Sequence, residues 1–256
     1  MIRHAFLALA LTLAVAACSK GDDASTTAAA TPRAVIAAEQ PVPAPAADAK
    51  PFAFDQAGSK VGFVGAKVTG KHVGEFKTFA GQVLMGPTAE ASAVAVTIEM
   101  ASVMADNEKL SGHLRSPDFF DVDTFKTATF TSTSVKKGGE GGATHTVSGN
   151  LALHGITKSI TFPATITTTP DLVTVKAAFA FDRKAFNISY PGKADDLIKD
   201  DVELTLDIVA RPGAAVPPVP AAPAVPADAA APAVPADAAA PAVPADAAAP
   251  VVAPTL

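Results

Sequence analysis

The chain has 256 residues, a net charge of −5, one cysteine and no tryptophan. The small net charge and the lack of a basic stripe exclude a typical nucleic-acid-binding protein, and a single cysteine excludes an internal disulfide. Thirteen of the 14 phenylalanines lie in 52–186, whereas 17 of the 22 prolines lie outside 52–210. This segregation predicts one domain at 52–210, a typical domain length, flanked by two tails.

Residues 1–17 have the features of a secretory signal peptide. Arg3 precedes an apolar run at 6–17, which is too short to cross a bilayer core of about 30 Å as a helix. The run ends in VAAC, which resembles the bacterial lipoprotein box and implies that Cys18 carries acyl groups such as palmitate. Ser19 resembles the outer-membrane sorting signal, so we expect a periplasm-facing lipoprotein of the outer membrane with stable acyl anchoring. The alternative is an ordinary signal peptide with a leftover thiol.

The next elements are a tether and a series of strands. Residues 18–51 are rich in Ala, Pro and Thr, and we expect a lipidated, flexible tether. Further along, apolar and polar side chains alternate, and residues 106–121 alone break the pattern, with helical character that stops at Pro117. The alternation predicts eight strands, at 60–64, 75–85, 93–100, 127–137, 144–153, 159–168, 174–181 and 201–209.

Eight short, mostly antiparallel strands with one apolar face each predict an all-β fold, either a closed barrel or a sandwich. The barrel is favoured because glycines in or next to strands supply the bulges, corners and close approaches that curvature requires. An eight-stranded barrel has just enough interior to hold one small ligand. The glycines concerned are Gly62, Gly65, Gly74, Gly81 and Gly149.

The C-terminal residues 211–256 repeat APAVPADAA with a nine-residue period. Proline recurs too often to permit a helix, and little large apolar material is available to form a core. The pattern predicts a disordered tail with polyproline II character. It would act as an inert spacer, or alternatively cross the cell wall or dock a partner.

The histidines of the domain, at 72, 113, 145 and 154, have no spacing typical of a metal site, and no G-x-S-x-G motif is present. We therefore predict no metal ligand and no catalytic residue. The stretch HGITK at 154–158 is interpreted as a tight turn between two strands, in which Gly155 permits the turn. A second interpretation places His154 near a barrel mouth together with His113 and Arg183, where the three contact a ligand head group.

Five segments of the domain together resemble the YceI-like family, periplasmic polyisoprenoid-binding proteins with a lipocalin-like barrel. Two departures are Asn187, where the family often has glycine, and the Leu-Ser-Gly run that precedes His113. The resemblance implies an eight-stranded antiparallel barrel with one short helical segment. The segments are FDQAGSKVGFVGAKV (54–68), VGEFKTFAGQV (73–83), HLRSPDFFDVDTFKTATF (113–130), GNLALHGITKSITFP (149–163) and FDRKAFNI (181–188).

The resemblance also implies an apolar tunnel that holds a long isoprenoid or similar lipid, with no cofactor. Inward-facing phenylalanines and aliphatic residues suit such a lining, although any one of them could instead simply fill the core. The pair Phe119–Phe120 follows the helical segment and could plug one mouth. The predicted lining residues are Val61, Phe63, Phe79, Val83, Phe119, Phe120, Phe130, Leu151, Leu153, Phe162, Phe179 and Phe181.

These observations favour a lipid carrier or sequestering protein of the bacterial cell envelope. The expected partners are a long-chain lipid, the membrane through the acyl anchor at Cys18, and a second copy of the chain in a homodimer. Two alternatives stay open. The same barrel could house an enzyme that acts on a lipid or quinone, or the chain could be a structural or interaction lipoprotein whose tail carries the function.

Overall fold

The computed structural model describes residues 31–213. The predicted signal peptide 1–17, Cys18 and residues 214–256 of the predicted tail lie outside the described residues. Within 31–213 the α-helix is α1, Glu108–Arg115. The strands are β1 Val35–Ala37, β2 Lys50–Asp55, β3 Lys60–Lys67, β4 Gly70–Phe76, β5 Phe79–Met85, β6 Ala93–Glu99, β7 Val103–Ala105, β8 Thr127–Lys137, β9 His145–Leu153, β10 Ile156–Thr169, β11 Leu172–Asp182, β12 Gly192–Lys193, β13 Asp196–Leu197 and β14 Asp201–Pro212.

Eight long strands form a closed antiparallel barrel. Three of them are bent, because short breaks divide them into β2 with β3, β4 with β5, and β6 with β7. The others are β8, β9, β10, β11 and β14, and each long strand pairs with the next along the chain. β14 pairs back onto β3, where Leu204 lies opposite Phe63, and onto β2, where Arg211 lies opposite Ala53. The predicted all-β, eight-stranded antiparallel lipocalin-like barrel with one short helical segment is confirmed.

One junction of the barrel is open along part of its length. β10 and β11 are hydrogen-bonded to each other only between residues 165–169 and 172–176. β1 fills the rest of the junction: it runs antiparallel to residues 159–161 of β10 and, through Arg33, parallel to Ala180 of β11. The backbone of Ala34 donates to the oxygen of Ala180 over 2.7 Å, and Ala180 donates to the oxygen of Pro32 over 2.8 Å. We call this junction, filled by residues 32–37, the seam.

The seam lies within the segment 18–51 that composition predicts to be a flexible tether. The prediction is wrong for residues 32–37, because two splayed strand edges offer unpaired backbone groups that this short stretch satisfies. The buried Asn150 side chain holds the chain just beyond β1: its Nδ2 donates to the oxygen of Gln40 over 2.6 Å, and its Oδ1 accepts from the Gln40 nitrogen over 3.0 Å.

Helix α1 covers one end of the barrel, between β7 and β8. It begins after Asn107, whose side chain accepts hydrogen bonds from the backbone nitrogens of Lys109 and Leu110, as a helix N-cap does. It ends before Ser116, as Pro117 predicts. Arg115 fastens the helix to the barrel, because its Nη2 donates to the oxygen of Val103 over 2.6 Å. No helix within residues 31–213 is long and apolar enough to cross a membrane.

Phenylalanine rings lie over glycines of neighbouring strands. Phe63 is directly opposite Gly74, and a Cβ on Gly74 would stand 2.2 Å from the Phe63 ring. Phe54 covers Gly81 at the same distance. Glycine therefore permits the close approach of ring and backbone that the sequence predicted at these positions. Gly65 differs, because nothing lies within 4 Å of the place where its Cβ would be.

Candidate functional site

The barrel interior is hollow. It contains a cavity of about 300 Å³ and a second cavity of about 120 Å³. Ile98, Leu151 and Leu204 line both, so the two spaces adjoin. Leu204 and Leu206 face the interior yet are only half-buried, because the space beside them is not filled by other side chains. We call the larger space the mouth chamber and the smaller one the deep chamber.

The mouth chamber is bounded by the barrel, by α1 and by the segment 187–199. Leu110 and Leu114 project from α1, and Phe119 and Phe120 follow the helix. Its volume lies at the lower end of the range of about 300–1,000 Å³ that is typical of small-molecule pockets. Its further lining residues include Phe63, Gly65, Phe76, Met100, Ala128, Leu153, Phe181, Ile188, Ile198 and Val202.

The deep chamber has a lining made entirely of aliphatic and phenylalanine side chains. The rings of Phe162 and Phe179 stack across the seam, with their centroids 4.2 Å apart and their planes 13° from parallel. Phe130 packs against Phe162 at a centroid distance of 5.8 Å. The lining residues include Phe54, Val61, Val83, Val94, Val96, Val135, Val147, Ile160, Ile166, Val175, Leu206 and Ile208.

The structure brings the predicted lining residues together around these two spaces, except Phe79. That residue is 3% exposed and lines neither chamber. It starts β5, at the bend between β4 and β5, and fills the core there. Phe63, Phe119, Phe120, Leu151, Leu153 and Phe181 line the mouth chamber, and Val61, Val83, Phe130, Leu151, Phe162 and Phe179 line the deep chamber.

His154 occupies the predicted tight turn, between Leu153 of β9 and Ile156 of β10. His154 and Gly155 have φ values of 51° and 74°, and two positive values in succession are the requirement of a type I′ turn. The Nδ1 atom of His154 donates to the oxygen of Phe186 over 3.2 Å. Since His154 lines neither chamber, its geometry supports the turn interpretation over the head-group interpretation.

His113 also lines neither chamber. Its Nε2 lies 2.9 Å from an Asp118 carboxylate oxygen. Its ring packs edge-on against Phe119 and Tyr190, at centroid distances of 4.9 and 5.0 Å. His113 therefore joins α1 to the segment 187–199 that carries Tyr190, on the outer side of the mouth chamber.

Arg183 does line the mouth chamber, but its guanidinium is used by the backbone. Its Nη1 donates to the oxygen of Ile188 over 2.6 Å, and its Nε donates to the oxygen of Lys199 over 3.1 Å. Burial lowers the pKa of Arg183, and the carboxylates of Asp200 and Asp182 oppose that shift. Arg183 holds the segment 187–199 over the mouth chamber. The three head-group candidates therefore do not form one polar site at the chamber.

Two other ionisable residues, Lys67 and His72, line the mouth chamber. Lys67 forms an ion pair with Asp196, and Nδ1 of His72 lies 3.0 Å from a carboxylate oxygen of Asp106. The Lys67 ammonium keeps further donors available, and within residues 31–213 His72 Nε2 has no hydrogen-bond partner. Sequence reasoning missed both residues, although each sits where alternation along β3 and β4 turns a side chain inward.

Asp196 fastens the segment 187–199 to the hairpin of β3 and β4. Its Oδ1 accepts hydrogen bonds from the backbone nitrogen and the hydroxyl of Thr69, over 3.1 and 3.0 Å. The Lys67 side chain, followed by these Thr69 donors, holds the pKa of Asp196 below its usual range. Backbone hydrogen bonds from Val68 to Leu197 and from Lys199 to Ala66 complete the attachment.

The acidic side chains of residues 31–213 lie outside the two chambers, and no carboxylate lines either one. No cluster of three or more His, Cys, Asp or Glu residues that could hold a metal ion occurs within 31–213. The arrangement can enclose an apolar chain, with the Lys67 ammonium and the His72 imidazole at its open end.

Comparisons with known proteins agree with this geometry. A family model described as a YceI-like domain matches residues 52–210. The UPF0312 protein of Ectopseudomonas mendocina is 39% identical over 120 residues, which are 44% of this chain and 60% of that protein. A UPF0312 protein of Pseudomonas putida is 41% identical over 93 residues, which are 36% of this chain and 47% of that protein. The matched part thus spans about half of the length of these curated relatives.

Two solved structures share the fold. BcnA of Burkholderia cenocepacia has a TM-score of 0.55 and 28% identity, over 61% of this chain and 98% of that one. A polyisoprenoid-binding domain from Saccharophagus degradans has a TM-score of 0.51 over 65% of this chain and 100% of that one. At 17% identity the second likeness concerns the fold alone.

Proposed function

This chain belongs to the YceI-like family, whose model matches residues 52–210, and from that premise we propose that its barrel binds a long-chain isoprenoid or a similar amphiphilic lipid. The observation that carries the proposal is the pair of adjoining chambers with an apolar lining and no carboxylate. An apolar guest would enter such an interior favourably, because its apolar surface is removed from water there. The Saccharophagus domain with the same fold is named for polyisoprenoid binding, and the proposal extends that ligand class to this chain.

The ligand chain would be held by burial and not by specific polar contacts. Burial contributes about 0.8 kcal/mol per CH₂, so one five-carbon isoprenoid unit contributes up to about 4 kcal/mol. Ordering the chain and the side chains around it takes back part of this free energy. Because burial does not distinguish chain chemistry, a quinone tail, a prenyl phosphate and a fatty amide all fit the proposal.

The polar end of the ligand lies at the mouth chamber, next to Lys67 and His72, and not at the residues expected from the sequence. His113 and His154 are outside both chambers, and Arg183 spends its donors on backbone carbonyls. Lys67 keeps donors of its ammonium available, whereas the Nε2 of His72, an acceptor in the neutral imidazole, has no partner within residues 31–213. An anionic or hydrogen-bond-accepting head group therefore suits this end best.

The proposed function is binding, carriage or sequestration, without a catalytic step and without a cofactor. We place the protein at the outer membrane, facing the periplasm, with Cys18 as its acyl anchor. The 12 residues 19–30 separate Cys18 from the first described residue and reach at most about 40 Å, which limits the distance between the anchor and the barrel. The homodimer stays a prediction.

The test is native mass spectrometry of the full chain extracted from its own envelope. We expect a bound mass that organic extraction removes and that chromatography identifies as a lipid. The extracted chain should rebind isoprenoids with an affinity that rises with chain length until the two chambers are full. A bare chain from cells with a normal lipid content, and no rebinding of any isoprenoid, would contradict the proposal.

A further inference from the structure

Exposed apolar side chains are concentrated at the mouth of the barrel. Of the six large hydrophobic residues that are exposed within 31–213, four lie on the hairpin of β3 and β4 or on strands bonded to it, and they are 47–70% exposed. These four are Val68, Val73, Met104 and Leu197. We call them the mouth patch.

The hydrogen bonding of the backbone places the members of the mouth patch side by side. The nitrogen of Val68 donates to the oxygen of Leu197 over 3.1 Å. Met104 lies opposite Glu75 on β4, so Val73, two residues before Glu75, shares its face and is its diagonal neighbour. The same hairpin carries Lys67 and His72 on the mouth chamber. The patch is thus continuous with the opening of the ligand site.

Lysines border the mouth patch. Lys71, Lys193 and Lys199 are exposed and form no ion pair with residues 31–213, unlike Lys67 and Lys184 nearby. Lys71 lies opposite Ala66, whose oxygen accepts from the Lys199 nitrogen. Lys67 and Lys184 pair with the nearby carboxylates of Asp196 and Asp200, His72 forms a hydrogen bond with Asp106, and Asp195 is the one unpaired acid of the segment 187–199. Apolar groups bordered by a net excess of lysines suit the surface of an anionic bilayer.

We propose that the mouth patch docks the barrel on an anionic lipid bilayer, so that a lipid passes between the bilayer and the mouth chamber without entering water. This inference rests on the proposed function. Each five-carbon unit exposed to water during transfer would slow the passage by up to about three orders of magnitude. Contact between the mouth and the bilayer removes that barrier, and the continuity of patch and chamber provides the contact.

The absence of tryptophan from the chain permits a direct test with single reporters. Leu197→Trp places a reporter in the mouth patch, and Val42→Trp places a matched one at a residue that is equally exposed, 50% in both cases, but outside the patch. Both full-length variants are mixed with vesicles of phosphatidylethanolamine and phosphatidylglycerol that carry brominated acyl chains. We expect at least twofold quenching of the Leu197→Trp fluorescence and none for Val42→Trp. Equal quenching of the two, or none at Leu197→Trp, overturns the proposal.

The charge component has its own test. Replacing Lys71, Lys193 and Lys199 by glutamate in the Leu197→Trp background should weaken docking by at least about fivefold per lysine. The control is Lys136→Glu with Lys137→Glu, at the opposite end of β8 from the mouth, which should leave docking unchanged. Equal effects of the two sets would refute a specific role of the mouth lysines.

Native mass spectrometry of the same variants separates the two proposals. If the wild-type chain carries lipid but the Leu197→Trp fluorescence is not quenched, the docking proposal fails and the proposed function stands. A chain that docks but never carries lipid contradicts the proposed function, and with it the transfer role of the patch. Loss of docking with retention of lipid in the lysine variants supports both.

Discussion

Gly65→Leu is the most direct test of whether the ligand occupies the mouth chamber. Gly65 lines the mouth chamber, and nothing lies within 4 Å of the place where its Cβ would stand. Its φ is outside the left-handed region, so a side chain adds no backbone strain. Glycine in a strand is less favourable than alanine by about 0.5–1 kcal/mol. We therefore expect the variant to fold at least as stably as the wild type.

The magnitude of the effect on binding follows from the volume taken. Four side-chain carbons of leucine occupy space that about four ligand carbons would fill, and each buried carbon contributes about 0.8 kcal/mol. The loss is about 3 kcal/mol, which raises Kd by about two orders of magnitude. The control is Gly70→Leu, at the exposed start of β4. Nothing lies within 4 Å of the place where the Gly70 Cβ would stand, and Gly70 lines neither chamber.

The assay combines isoprenoid binding to the delipidated full chain with thermal unfolding followed by circular dichroism. Gly65→Leu should lose affinity while its Tm stays equal to or above that of the wild type, and Gly70→Leu should change neither. Undiminished affinity of Gly65→Leu would show that the ligand does not use the mouth chamber. A marked fall in Tm would show that the space beside Gly65 is not open, and either result refutes the reasoning.

Three further predictions concern the parts that hold the barrel shut. Arg183→Met should lower the free energy of unfolding, measured in urea, by about 2–4 kcal/mol, because it leaves the carbonyls of Ile188 and Lys199 without a buried donor. The control Lys184→Met, which removes an exposed ion pair with Asp200, should cost less than about 1 kcal/mol. Equal losses would show that Arg183 does not hold the segment 187–199. The lowered pKa of Asp196 predicts that its contribution is present above pH 3.8 and is lost as pH falls through the lower folded value. The protection factor of the Thr69 amide, which corrects for the intrinsic pH dependence of exchange, should then fall on acidification, and in Asp196→Asn it should be low already at neutral pH. A Thr69 amide that keeps its protection factor in both cases would argue against this role. Ile36→Pro should disrupt β1, because proline cannot donate to the ladder, and should cost about 1–3 kcal/mol. Val42→Pro, in an exposed stretch outside the strands, should be tolerated. An unchanged exchange rate at the Ala180 amide of Ile36→Pro would show that β1 does not seal the seam.

The strands were predictable because every long strand of a closed barrel has one face on the interior and one on solvent, which makes the alternation complete. β14 illustrates this, with a prediction of 201–209 and an observed strand Asp201–Pro212. β2 was missed, although Phe52 and Phe54 alternate with smaller neighbours and are both buried. β1 carried no usable signal, since a three-residue strand owes its conformation to the open edges of β10 and β11.

The walls of the site were predictable where they lie on strands and, for Phe119 and Phe120, directly after the helical segment. Ile188 and Ile198 line the mouth chamber from a segment without periodicity, so nothing in their spacing points inward. Leu110 and Leu114 do show the spacing of one helix face and were recoverable from it. The direction of the His154 ring was not recoverable, because it depends on a positive φ in a turn and on a carbonyl of Phe186 that is distant in sequence.

The insertion of β1 into the seam gives the barrel a preferred point of mechanical entry. The described chain begins at residue 31, next to the short strand between β10 and β11, and Nη1 of Arg33 donates to an Asp201 carboxylate oxygen over 2.8 Å there. Tension on that chain is delivered to this joint before it reaches any other junction of the wall. We therefore expect a barrel pulled from residue 31 to open first at the seam, where the rings of Phe162 and Phe179 stack, so that the deep chamber is uncovered before the mouth chamber.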